Sequence, residues 1–548
     1  ESLPRTTQGK VNRAELRERV TQLLARRDAS PRTEHRRAGW ASAGAGNVQI
    51  GFRVPPPESA ERLRIWFTDW VQLDLVAPGS GADAADAQSG VAPSASAFAR
   101  EFLSHALELM RRLLQAGGVP VFDPAVIEAF APGLDESGRW RAALVLPRVE
   151  RIDPQTNELA LRVALDVCLK MATMPFVDAS KKELIPMLDR IVRRIRSMVR
   201  QGRSTIPLLR AAHALDIPFV HLWNGVYQIG WGSRAVRTSR SATARDSAIG
   251  ARMAQSKAGA AAVLRAAGLP APMHGLAHTQ QQALTFARQI GWPLVVKPDS
   301  ADRGEGVTVD IRDERQLVTA FETARAVAAK NPVLVEKQAA GVCHRLFIAR
   351  GELLYAVRRL PKSVPGDGSS SVAELIRQAN HRERTVPPWM RTELFPDDDA
   401  ARTAISAAGF TMESVPPSGV PVPLRRIEST ADGGFDEDVT GEVHPVNVDA
   451  AVRAAALFDL DVAGVDIISS DISAPWFDNG AIINEVNFAP LLGGGEISRR
   501  HIPEYLARIV DGDGRIDVEA VIDGSASLSA ARQRQQSFLD RGLRCWLT

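Results

Sequence analysis

The sequence predicts an α/β (α+β) fold spread over several domains, and three observations carry that expectation. Its 548 residues amount to three or four typical domains, enough to bury several cores. From Ser204 to Val510, short apolar runs alternate with stretches of helical periodicity, as strands and helices taking turns would. The composition is that of a globular protein, 45% hydrophobic and 24% charged with 41 Gly and 34 Pro. That excludes a disordered polymer, a collagen-like chain and a disulfide scaffold.

Charge and cysteine usage narrow the class further. Sixty-seven basic against 64 acidic residues leave +3, so no wholesale attraction to nucleic acid or membrane is expected. Cys168, Cys343 and Cys545 stand at no metal-ligand spacing, which excludes a zinc ribbon and fits a reducing, cytoplasmic compartment. No run of about 18 apolar residues marks a membrane span. The chain begins at Glu1 rather than Met and is expected to be a piece of something larger.

Taken in order, residues Leu3-Pro4-Arg5-Thr6-Thr7-Gln8-Gly9-Lys10-Val11-Asn12-Arg13 combine a turn with a lysine. They resemble the final motif of the adenylate-forming superfamily. The resemblance implies that residues 1–27 are the end of an adenylation domain, with Lys10 as the lysine that neutralises carboxylate and phosphate; a solvated basic arm is the competing account. Residues 28–50, Arg-rich at first, are expected to be a linker. Residues 51–215 are expected to form a mixed α/β domain. Within it Ile65–Val71 suits a strand, Gly79–Ser96 a loose segment and Ala97–Leu114 a helix. Trp140–Arg151 and Leu159–Ala172 suit a strand and then a helix. No residue pattern in this domain demands more than packing. Beyond it come a helix over Thr205–Leu215, a short strand near Phe219 and a helix over Asp246–Ala267.

The chemistry concentrates later. Pro293–Pro298 is an apolar strand that ends on Lys297 and runs into Asp299-Ser300-Ala301-Asp302-Arg303-Gly304-Glu305-Gly306. A lysine there neutralises phosphate charge, while Gly304 and Gly306 let backbone N–H groups approach an anion without Cβ clashes. No Gly-Lys-Ser/Thr follows, so this is not a Walker A loop. A cation closing a buried apolar strand also needs an anionic partner. Val333–Lys337 is a second strand, ending on Glu336 and Lys337. Gly464–Ile468 and Ile482–Asn487 are expected to be neighbouring strands that bring Asp466, Glu485 and Asn487 together. Such hard oxygen ligands suit Mg2+.

Several ordered motifs, spread from Arg203 to Val510, are similar to those of the ATP-grasp superfamily, and most of all to the ATP-grasp half of cyanophycin synthetases. They are Gly202–Ile206, Gln228–Ser233, Val295–Pro298, His344-Arg345-Leu346, Arg358–Pro361, Gly366-Asp367-Gly368, Ser414–Pro417, Glu442–Pro445 and Glu485–Pro490. The resemblance implies a two-lobe ATP-grasp domain over 216–512, with ATP and Mg2+ as cofactors. It implies that Lys257 and Lys297 contact phosphate oxygens, with Gly304 and Gly306 in a mobile covering loop. Glu336 and the Lys337 backbone would lie near the adenosine, and Arg359 and Arg345 would stabilise the transferring phosphoryl group. Asp466, Glu485 and Asn487 would hold Mg2+. His344 and His444 read as structural.

The implied function is ATP-dependent carboxylate–amine ligation through an acyl phosphate, on small-molecule or peptide substrates. The alternative is a catalytically silent ATP-grasp module inside a larger biosynthetic protein. An upstream adenylation domain and a homo-oligomer are compatible with either; nucleic acid and membrane partners are not expected. Three departures bear on the substrate. Cys343 stands where related chains carry an acid, the loop Arg425–Gly434 has Ile427 in place of Asn, and Leu491–Glu496 replaces the usual continuation. Arg425 or Arg426 remains a candidate clamp for a substrate carboxylate. Residues 513–548 are expected to begin a βαβ unit like that of a Mur ligase. Its turn, Asp523–Ser527, lacks the phosphate-binding lysine, so no second nucleotide site is expected.

Overall fold

The computed structural model describes residues 45–72, 93–132, 139–199, 202–299, 306–328, 331–425, 434–516, 527–542 and 545. Lys10, Gly304, Arg426 and Ile427 lie outside the described residues, as do Asp523–Ala526.

The first sheet joins β1 (Ala45–Arg53), β2 (Val126–Pro132) and β3 (Arg139–Pro147) in the order β1-β3-β2. Where a strand was expected at Ile65–Val71, the chain is helical, as an α-helix over Ala60–Trp66 that continues as a π-helical turn over Phe67–Val71. The reason lies in the burial. Leu63, Trp66, Phe67, Trp70 and Val71 are buried at spacings of three, one, three and one, which is one face of a helix. Aromatic and β-branched residues favour strands when nothing else decides, but this face had a core to fill. The helix over Pro93–Ala116 begins earlier than expected, with proline at its first turn, so Pro93–Ser96 belong to it and not to a loose segment. Helices Gln155–Thr173 and Asp178–Met198 complete the layer over a core that includes Phe52, Phe102, Met110, Leu161 and Leu188.

After the helix Thr205–Ala214 a four-stranded sheet forms from β4 (Phe219–Trp223), β5 (Val226–Ile229), β6 (Val236–Ser239) and β7 (Ala242–Thr243). The single helix expected over Asp246–Ala267 is two, Ala248–Ala254 and Lys257–Ala266. Ser247 and Ser256 each cap one, accepting from the N–H groups of Gly250 (3.2 Å) and Gly259 (3.0 Å). The second cap makes Lys257 the first residue of its helix.

Two further sheets position the site. The smaller contains β8 (His274–Ala277), β9 (Leu294–Pro298), β10 (Thr308–Ile311) and β11 (Val333–Lys337), ordered β10-β9-β11-β8. Leu294, Val296, Val333 and Val335 bury one of its faces against helices Gln280–Ile290 and Glu314–Ala328. The two-residue period turns Lys297 and Glu336 to the other face.

The larger sheet starts with β12 (Val342–Ala349) and β13 (Glu352–Leu360). An insertion follows, with β14 (Ser363–Pro365) paired to β15 (Pro421–Pro423) and helices Val372–Thr385 and Asp399–Ala407 packed on them. Then come β16 (Phe435–Asp438), the helix Pro445–Leu457, β17 (Val462–Ser469) and β18 (Ile482–Phe488), in the order β16-β13-β12-β17-β18. Leu346, Ile348, Val465, Ile467 and Ile483 bury one face of this sheet with the helix Pro445–Leu457. Every described strand pairing is antiparallel, which puts the chain on the α+β side of the expected class.

Gly39–Gly514 forms one compact unit; the helix Ser527–Asp540 belongs to a second. Among the described residues no helix is long and apolar enough to cross a membrane.

Candidate active site

The free face of the larger sheet gathers charge, and strand register dictates which residues share it. Arg359 stands opposite Asp436, Arg345 opposite Asp466, Asp466 opposite Glu485, and Gly464 opposite Asn487. Residues directly opposite in an antiparallel pair project to the same side. Arg358, one position on, faces the other way and pairs with Glu437 at 2.9 Å.

At the centre Arg345 grips Asp466 with both prongs, Nε to Oδ1 and Nη2 to Oδ2, each 2.7 Å. Burial opposes the arginine's charge, yet Asp466, helped by Glu485, holds the guanidinium above its ordinary value. The Asn487 amide donates to Asp466 Oδ2 and to the Gly464 carbonyl, both at 3.3 Å. Gly464 is required here. A Cβ at that position would stand 2.9 Å from Pro490 Cβ, so glycine lets the chain after β18 pack against the strand, with the Arg345 stem in ordinary contact at 3.6 Å. Burial also raises the Asp436 carboxyl, against the pull of Arg359 and Arg345.

The lysines approach from the neighbouring elements. Lys257 Nζ lies 3.8 Å from Glu485 Oε1. Its helix start is tied to the strand end at β9, because Asp299 Oδ1 accepts from the Ala258 N–H at 2.9 Å. Lys297 Nζ makes a buried ion pair with Glu336 at 2.6 Å and reaches Asn484 Oδ1 at 3.3 Å. Asn484 sits where the β17–β18 register slips between Asp466 and Ile467, and such an irregularity re-aims a side chain. The anionic partner that a buried Lys297 requires is thus Glu336, with an amide oxygen beside it.

The other expected residues are placed less centrally. Lys337 turns its ammonium to the carbonyls of Trp292 and Gly291, and its N–H donates to Met273 O at 2.9 Å. Gly306 has φ +70°, and a Cβ there would meet Pro298 and Val327 at 3.1 Å, so the turn leading into β10 needs glycine. His444 caps the helix Pro445–Leu457, its Nδ1 accepting from the Val446 N–H at 3.2 Å. His344 is buried on the opposite face from Arg345, and burial, reinforced by Arg358, lowers its pKa. Arg425, the candidate clamp, is in a two-pronged pair with Asp398 at 2.8 and 2.9 Å. Asp398 in turn caps the helix Asp399–Ala407, so this arginine holds the insertion together.

Sequence reasoning missed Asn484, Gly464 and Asp436. The first depends on a slipped register, and the second on a contact across strands; neither leaves a local signal. Asp436 was within reach, since it lies two residues from a pair of glycines in the departing loop.

Asp466, Glu485 and the Asn487 carbonyl are hard oxygen donors on one sheet face, a set that fits Mg2+. Asp466 would share its carboxylate with Arg345. Among the described residues no cluster of three or more His, Cys, Asp or Glu side chains is assembled for a metal.

Residues 248–343 match the ATP-grasp domain family. Cyanophycin synthetase from Geminocystis herdmanii is 28% identical over 395 residues, 71% of this chain and 44% of that protein. The cyanophycin synthetase of Nostoc sp. is 30% identical over 346 residues, 60% of this chain and 38% of the relative. The glutathione biosynthesis bifunctional protein GshAB of Mannheimia succiniciproducens is 29% identical over 262 residues, 46% and 34% of the two chains. Among solved structures, a bifunctional glutathione synthetase from Pasteurella multocida aligns with a TM-score of 0.42 at 21% identity, over 63% of this chain and 52% of that one. The chain spans less than half the length of these curated relatives. The chain thus carries a match to the ATP-grasp domain family at residues 248–343, and it is similar over most of its length to the cyanophycin synthetases.

Proposed function

We propose that the chain is an ATP-dependent carboxylate–amine ligase whose active domain lies within 216–512. One observation carries this reading: two lysines from neighbouring elements, Lys257 and Lys297, converge on β18 at Glu485 and Asn484, beside the Asp466–Asn487 oxygens. Opposed cations and hard oxygens on adjoining surfaces suit a metal-bound polyphosphate. The carboxylate substrate takes the γ-phosphoryl group to give an acyl phosphate, and the amine then attacks the acyl carbon and displaces phosphate.

In this account Lys257 and Lys297 hold phosphate oxygens, and Lys297 exchanges part of its bond to Glu336 for them. Glu336 and the Lys337 backbone stand toward the adenosine. Arg359, on the free face, offers its guanidinium to the group in transfer, while Arg345 fixes Asp466. Gly304 and Gly306 belong to the covering loop. Asp466, Glu485 and Asn487 would hold Mg2+, which when bound supplies charge neutralisation on the phosphates. Substrates are small-molecule or peptide carboxylates and amines. The proposed setting is the cytoplasm, within a larger biosynthetic protein to which the adenylation-like tail around Lys10 belongs.

A silent binding module is the second reading. The closed pairs Arg345–Asp466 and Lys297–Glu336 favour it, since charges that satisfy one another need no ligand. Hydroxylamine trapping separates the two. The ligase forms Mg2+-dependent acyl hydroxamate from ATP and a carboxylate drawn from an amino-acid and dipeptide panel; a silent module binds ATP and forms none.

A further inference from the structure

Four arginines gather around Arg210 where the helices Pro93–Ala116 and Thr205–Ala214 approach the short helix Glu496–Arg500, and two of them share the carboxylate of Glu108. Arg111 takes Glu108 in a two-pronged pair, at 2.7 and 2.5 Å, and also donates to the Phe122 carbonyl at 3.2 Å. That leaves Arg112 with the same carboxylate at 3.8 Å. Its Nε is buried without a hydrogen-bond partner among the described residues. Among the described residues, the direct contacts of the Arg210 guanidinium are neutral groups, the Gln115 amide oxygen at 2.7 Å and the Phe122 ring at 5.4 Å. Arg499 donates to the Gly493 carbonyl at 3.1 Å, and Gly493 packs on Pro207, one helical turn before Arg210. The next acid, Asp123, is paired with His213 at 2.9 Å.

Among the described residues the charges that act most on Arg210 are three further arginines and one acid, Glu108. Burial and then the charges of Arg112, Arg111 and Arg499 hold the Arg210 guanidinium below its ordinary value. The contrast with the rest of the molecule is sharp. Buried Arg345 and Lys297 each have a carboxylate of their own, at 2.7 and 2.6 Å. A guanidinium left half-desolvated among its own kind is unfavourable until an anion joins it. Arg210 and Arg499 are exposed, so an anion can arrive from solvent. The Gly493–Gly495 loop beside the cluster continues directly from β18 and Pro490, which places it next to the proposed reacting face.

We infer that Arg111, Arg112, Arg210 and Arg499 form a binding site for a multiply carboxylated part of the substrate. This rests on the ligase reading for what the ligand is, though not for where it binds. Guanidinium forks grip carboxylate and phosphate alike; the carboxylate is assigned here because the lysine end already serves phosphate.

The test is calorimetric titration with propane-1,2,3-tricarboxylate as probe, at low and at moderate salt. The wild-type chain is expected to bind it, with Arg210→Glu and Arg112→Gln each weakening binding about tenfold or more. Arg237→Glu, which makes the same charge change as Arg210→Glu at an exposed position on β6, leaves binding unchanged. MgATP affinity, titrated in parallel, stays at the wild-type value in all three variants and reports that they are folded. No probe binding, an equal loss in Arg237→Glu, or inorganic phosphate binding as tightly as the tricarboxylate overturns the assignment. Probe binding with no acyl hydroxamate formed would instead sink the ligase reading and leave the anion site standing.

Discussion

Lys297 shows how much one residue carries at this site. Its ammonium is buried, paired with Glu336 at 2.6 Å, and aimed at Asn484 on the opposing sheet. Lys297→Ala therefore does two things. It is expected to abolish ATP turnover, read as ADP release, and to leave Glu336 as an uncompensated buried charge, lowering unfolding stability by about 3–5 kcal/mol in a urea titration. Normal turnover in a folded Lys297→Ala protein would remove lysine from the phosphate assignment. Glu485→Gln keeps shape and loses charge. It is expected to weaken Mg2+-dependent activity by roughly 3–4 kcal/mol of transition-state stabilisation, and an unchanged Mg2+ dependence would contradict its role as ligand. Much at this scale was legible in advance, because lysine at a strand end and Glu-x-Asn on one strand are local patterns. The pairing of Arg345 with Asp466 was not, since it depends on which strands become neighbours.

Among elements, the segment Ala60–Val71 is the instructive failure. Aromatic and β-branched composition argued for a strand, while the spacing of Leu63, Trp66, Phe67, Trp70 and Val71 already had helical period. The first signal is a local preference worth tenths of a kcal/mol per residue, whereas burying a Trp side chain is worth several. Trp66→Ala is accordingly expected to destabilise the fold by about 3–5 kcal/mol, measured by denaturant unfolding. A loss below 1 kcal/mol would mean the helix does not seat in the core as described. The break at Ser256 was harder to foresee, because Ala248–Ala266 is alanine-rich on both sides of it and the serine caps mark the start of each half. The antiparallel pairing of β17 with β18 was foreseeable from two apolar runs joined by a polar turn. The slip at Asn484 was not, because it depends on how β18 pairs with β17 rather than on either strand's own sequence.

At the level of the whole molecule, stability should depend on pH in a direction the buried histidines set. Burial lowers the pKa of both His105 and His344 below the ordinary 6.5, although His105 gains some from donating through Nδ1 to the Glu101 carbonyl at 2.8 Å. A depressed histidine binds fewer protons folded than unfolded. Its contribution is therefore fully present above pH 6.5 and is lost as pH falls through that value toward the folded pKa. The thermal midpoint should drop between pH 7.5 and pH 5.5, with a shallower slope in His105→Gln; a flat profile would contradict the burial of these rings. The alternation of strands and helices over 204–510 made the fold class readable at this scale. How the small sheet faces the large one was not readable, since that arrangement rests on side chains such as Lys297 and Asn484 meeting across more than 180 residues of sequence.

The central claim is that Lys257 and Lys297, with the Asp466–Glu485–Asn487 face, hold MgATP. Its most direct test is titration of MgATP into the wild-type chain, Lys297→Ala and Glu485→Gln, with and without Mg2+. The account predicts binding to the wild type that depends on Mg2+, a loss of about tenfold or more in Lys297→Ala, and binding without Mg2+ dependence in Glu485→Gln. Equal affinities across the three proteins, or none in the wild type, would contradict it.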